Sequence, residues 1–186
     1  MRKISSYSFR LILFIIFALS VSAQVSRKAQ DFKLNSKLMS REMPYRVIFP
    51  LKYQQKDEKT RYPVIYLLHG LTGHYDNWSD KTKIAEYAGK YRYIIVMPEG
   101  NDGWYSDSAT VSNDKYESYL TQELIPEIDT NFRTISKRES RVISGLSMGG
   151  YGSIKFGLKY PEKFVIVGSF SGALAAASWS VKSLGN

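Results

Sequence analysis

Apolar residues in this chain gather into short unbroken runs, and helically spaced stretches lie between the runs. Pro63-Val64-Ile65-Tyr66-Leu67-Leu68 and Tyr93-Ile94-Ile95-Val96-Met97-Pro98 carry almost no polar side chain, the pattern of strands buried on both faces. Ser140 to Ser144 and Phe164 to Phe170 read as two further strands. Trp78 to Tyr91, Tyr116 to Phe132 (despite Pro126) and Met148 to Tyr160 have helical character. Ahead of them, Asp31 to Leu38 and Glu42 to Pro50 read as an antiparallel pair joined by a turn near Ser40-Arg41. Strand, helix, strand in repetition predicts an α/β domain, a mostly parallel sheet with helices on both faces built from right-handed crossovers. In such sheets ligands collect at the carboxyl ends of the strands. That directs attention to Gly70 to Asn77, Glu99 to Thr110 and Ser147-Met148.

The chain opens differently. Met1 to Arg10 holds three positive charges and no acid, Leu11 to Val21 is nearly all apolar, and Val21-Ser22-Ala23 has the small-x-small spacing of a signal-peptidase site. An apolar run of eleven is too short for a bilayer, which takes about 20 residues. Residues 1–23 are therefore expected to be a cleaved export signal, with cleavage near Ala23-Gln24, a secreted or periplasmic product and no stable membrane insertion afterwards. Residues 31–186 form the expected single domain. The formal charge of +9 falls to about +6 without Arg2, Lys3 and Arg10. The remaining basic residues are scattered among acids, which argues against a nucleic-acid partner. The absence of cysteine excludes a disulfide framework, a zinc-thiolate site and a thiol nucleophile. No metal or cofactor is expected.

The chemistry is carried by Gly145-Leu146-Ser147-Met148-Gly149-Gly150, which places a serine between a β-branched run and a helical one. It reads as a nucleophile elbow, in which the serine sits on a tight, strained turn and small neighbours let strand and helix approach. A serine hydroxyl needs a base to take its proton and preorganised donors to hold the developing oxyanion. The backbone N–H of Met148, first in the helix, is one candidate donor, and that of Leu71, in the loop after His69-Gly70, is the other.

Tyr62 to Gly70, Asn77-Trp78, Val96-Met97-Pro98, Gly103-Trp104-Tyr105 and Gly145 to Gly152 together resemble the esterase D-like α/β hydrolases. These include S-formylglutathione hydrolases, feruloyl, acetylxylan and tributyrin-type esterases, and mycolyltransferases. Phe170-Ser171-Gly172-Ala173-Leu174 extends the resemblance, which covers about Tyr45 to Leu174. It implies an α/β-hydrolase fold and hydrolysis of a small-molecule or glycan-linked carboxylic ester by Ser147, acetyl and feruloyl groups on polysaccharide among the candidates. It also implies Leu71 and Met148 as oxyanion donors. The family's triad runs serine, acid, histidine along the chain, yet the 39 residues after Ser147 contain neither histidine nor aspartate. The expectation is thus a partial domain with the last strands missing. His69 and His74 are the chain's only histidines. The first is expected to hydrogen-bond locally beside the oxyanion loop, and the second to be a loop residue. Glu162, the sole acid after Ser147, reads as a surface charge at a helix end. Trp104 and Tyr105 either line a substrate pocket or pack, and Asn101 and Asp102 read as turn formers. The alternatives are an inactive hydrolase-like domain that binds glycan or protein, and an acyltransferase.

Overall fold

The computed structural model describes residues 29–51, 53 and 59–178. The export signal expected over residues 1–23 lies outside them. Its strands are β1 (Gln30–Ser36), β2 (Arg41–Ile48), β3 (Val64–Leu68), β4 (Ile94–Pro98), β5 (Arg141–Leu146) and β6 (Ile166–Phe170). They form one sheet in the order β1-β2-β4-β3-β5-β6. β1, β2 and β4 pair antiparallel, and β4, β3, β5 and β6 pair parallel.

Alternate side chains of the two apolar runs serve two different cores. Val64, Tyr66 and Leu68 of β3, with Ile94 and Val96 of β4, pack with Leu120, Leu124, Ile128 and Phe156. Leu67, Ile95 and Met97 face the other way, against Ala88 and the half-buried Trp78 and Ile84. Helices therefore cover both faces of the sheet. The first face takes α3 (Tyr116–Ser118), a π-helical segment (Tyr119–Leu124), α4 (Ile125–Asn131) and α5 (Met148–Lys159), and the second takes α1 (Asn77–Lys81) and α2 (Ile84–Lys90).

Two helices depart from the sequence pattern. The stretch from Trp78 to Tyr91 is broken at Thr82, which is extended (φ −138°, ψ 171°). Its hydroxyl bonds the carbonyl of Trp78 and accepts the N–H of Ile84, so a side chain competes with the helical ladder. Residues 116–131 run on as predicted, but through a π segment in which Ile125 N–H reaches back to the Leu120 carbonyl. Pro126 has no N–H to give and its ring crowds the carbonyl one turn back, so the wider turn ahead of it relieves a clash that a uniform α-helix would suffer. No helix among the described residues is long and apolar enough to cross a membrane.

Among the described residues β6 is an outer strand of the sheet, and its face away from α5 is largely uncovered. Ile166 and Phe170 are 57% and 56% exposed, next to Leu146 at 44%.

Candidate active site

At the carboxyl end of β5 the backbone turns sharply through Ser147, which holds φ 54° and ψ −112°. A non-glycine residue there is strained. Three bonds hold the turn. The Ser147 N–H donates to the Phe170 carbonyl at 2.9 Å, and the Ser147 carbonyl accepts from Tyr151 at 2.9 Å and Ala173 at 3.2 Å. Glycine is required on both sides. A Cβ on Gly145 would lie 2.5 Å from the backbone of Gly149, and one on Gly149 would lie 2.5 Å from the Leu68 carbonyl oxygen. The elbow is thus wedged against β3 with no space for a methyl group.

The loop after β3 reaches the serine. A Cβ on Gly70 would lie 3.5 Å from Ser147 Cβ, which sets Gly70-Leu71 against the elbow. Met148 is the first residue of α5, a position where a helix leaves its N–H without an intrahelical partner. In the loop, Thr72 N–H donates to Asp102 Oδ1 at 2.7 Å and Gly73 N–H to the Gly70 carbonyl at 3.0 Å. Gly70 is thereby set beside Ser147, and Met148 follows the serine directly in the chain. A crevice of about 240 Å³ opens beside the loop, lined by His69, Gly70, Leu71, Trp78, Lys81 and by Leu146, the residue before the serine.

Glu99, which carries no local sequence signal, organises this loop. It is 6% exposed at the end of β4. Its Oε1 takes the N–H groups of Gly100 and Asn101 at 2.9 and 2.7 Å and lies 3.1 Å from His69 Nε2. Its Oε2 lies 3.2 Å from His74 Nδ1 and takes the Tyr75 N–H. Burial alone would raise this carboxyl, but the bonds from His69, Asn101 and His74 outweigh it and hold the pKa down at about 2. His69 Nδ1 faces the Gly70 carbonyl at 2.8 Å and therefore donates to it. Its Nε2 accepts Gly100 N–H (2.9 Å) in the neutral ring and donates to Glu99 in the charged one. Both nitrogens of His69 are thus committed within the loop. Glu162 sits in an exposed turn beyond the far end of α5, roughly 18 Å of helix away from Ser147.

Trp104 and Tyr105 do not join this group. Both hold positive φ (53° and 51°), and Lys155 of α5 donates to the Tyr105 carbonyl. Tyr105 is 1% exposed, and its ring fills the space that side chains on Gly100 and Gly152 would need. Its hydroxyl donates to the His69 carbonyl at 3.2 Å, so this residue is core and props the histidine from beneath. Of the two places left open for Tyr105, a pocket wall or the core, burial gives it the second. Trp104 is half-buried, packs edge-on against Tyr151 at 5.7 Å and lines a separate crevice with Asp102, Asp107 and Asp114.

A serine at positive φ between strand and helix, at the carboxyl edge of a sheet with this strand order, defines an α/β hydrolase. The Esterase family model matches residues 36–183, and the chain belongs to that family. It is 31% identical over 144 residues to an acetyl esterase of Caldicellulosiruptor saccharolyticus, an alignment spanning 75% of this chain and 54% of the relative. Among solved structures, a ferulic acid esterase superposes with TM-score 0.73 at 27% identity, over 80% of this chain and 59% of that one. The S-formylglutathione hydrolase of Staphylococcus aureus gives TM-score 0.69 at 25% identity, over 84% and 63%. The chain thus spans a little over half the length of these relatives.

Proposed function

We propose that this chain is the nucleophile-bearing part of an exported carboxylic-ester hydrolase. The observation that carries it is the strained Ser147 turn, with Gly70-Leu71 and the α5 N-terminus set around it. In the reaction, Ser147 Oγ attacks the ester carbonyl carbon, and the Leu71 and Met148 N–H groups receive the charge that moves to oxygen. Each such donor is worth about 2.7–4 kcal/mol of transition-state stabilisation. The alcohol departs as the carbonyl re-forms, taking up the proton that the serine gave to the base, and water releases the acyl group from Ser147. In the chain order that the family resemblance implies, the orienting acid and the base follow the serine, so neither His69 nor His74 takes that role. His69 and His74 both bond Glu99 instead. Substrates of the acetyl or feruloyl class fit the relatives' names, and the leader over residues 1–23 directs export.

p-Nitrophenyl acetate tests this without demanding a strong acid catalyst, because its leaving group departs unprotonated. The 186-residue chain is expected to turn it over slowly and to gain the mass of one phosphonyl group from a fluorophosphonate. Both signals should vanish in Ser147→Ala. Turnover and labelling that survive this change would sink the proposal, as would a wild-type chain that gives neither.

A further inference from the structure

We propose that Asp102 is a positioning residue that presets the oxyanion loop, an inference that rests on the function just proposed. The direction of the Leu71 N–H is fixed by the peptide it shares with the Gly70 carbonyl, because the two point oppositely across a trans bond. That carbonyl is held by His69 Nδ1 at 2.8 Å and Gly73 N–H at 3.0 Å. The next peptide, between Leu71 and Thr72, is held from outside the loop, by Thr72 N–H donating to Asp102 Oδ1 at 2.7 Å. An external hold is needed there. Thr72 has φ 58°, a left-handed conformation that a β-branched side chain resists. A short side chain ending in an acceptor oxygen is what that N–H requires.

Asp102 can serve because its own loop is rigidly mounted. Asn101 N–H bonds Glu99 at 2.7 Å and its side-chain amide bonds the Tyr116 hydroxyl at 2.8 Å. Gly103 lies so close to the Tyr116 ring that a Cβ would fall 2.2 Å from it, and Tyr116 is itself 4% exposed. The bracket therefore runs from a buried tyrosine through Asp102 to the loop beside Ser147. Asp102 touches no reacting atom. It contributes an acceptor in a fixed place, and its charge is incidental.

That last point separates positioning from acid–base work. In the full chain, Asp102→Ala should speed Thr72 and Leu71 amide exchange, followed by NMR, about tenfold. It should also slow phosphonylation of Ser147 by a fluorophosphonate about tenfold, with little change in melting temperature. Asp102→Asn keeps the acceptor and should stay within about threefold of wild type in both. In a Thr72→Gly background, where positive φ is free of strain, removing Asp102 should cost less than about threefold. The inference is overturned if Asp102→Ala leaves exchange or phosphonylation unchanged, or if Asp102→Asn is as damaging as Asp102→Ala. A wild-type Ser147 that does not react refutes the proposed function, and the exchange comparison then decides the loop claim by itself.

Discussion

A side chain on Gly149 would meet the carbonyl oxygens of Leu68 and His69 at 2.5 and 2.6 Å, both backbone atoms that cannot step aside. Gly149→Ala should therefore destabilise the fold by about 1–3 kcal/mol, read as a lower urea midpoint, because it pries the elbow from β3. Ser147 poses the opposite case. Its backbone occupies a region that glycine enters freely, so Ser147→Gly should raise stability by about 1 kcal/mol while abolishing labelling. A fall in melting temperature for that variant would show that the turn is not strained. The motif's glycines and serine are legible at this scale, since their spacing between a β-branched run and a helical one announces an elbow. Glu99 and Asp102 were not. Their partners, His69 and Thr72, lie 30 residues away in the chain, and nothing local distinguishes such an acid from a turn former.

Among the elements, β6 exposes Ile166 and Phe170 beside Leu146 on the face that α1 and α2 leave open. Uncovered apolar strand surface at a sheet edge favours association between copies. For the 186-residue chain, Ile166→Lys should raise the soluble fraction and lower light scattering, while changing stability by no more than about 0.5 kcal/mol. An unchanged soluble fraction would show that this edge does not drive association. The helices teach a separate lesson. Apolar spacing located both the 78–91 and 116–132 stretches, but their interiors were set by single residues: the Thr82 hydroxyl that breaks one and the Pro126 ring that widens the other.

For the whole molecule, Glu99 and Glu117 concentrate the acid response. Burial would raise the Glu117 carboxyl, but bonds from Lys159, Tyr160 and Lys155 hold it at about 2, as those from His69 and its neighbours hold Glu99. Each binds fewer protons in the folded chain than in the unfolded one, whose carboxyl titrates near 4.5. Their contribution is therefore complete above that pH and is lost as pH falls towards about 2. Urea midpoints measured across this window should decline steeply for the wild type and less steeply for Glu117→Gln, which has no proton to gain. Equal slopes would remove Glu117 from the account.

What the sequence determined by itself was the sheet, its two-faced core and the elbow, because continuous apolar runs and glycine spacing are local properties that the fold must obey. Tertiary structure decided how the segments around the serine are held. It set Gly70-Leu71 against the elbow, drew both histidines onto Glu99, sank Tyr105 into the core and turned Asp102 towards Thr72. Each of those outcomes depends on segments distant in the chain competing for the same space and the same donors, a competition settled only when the strands lie side by side.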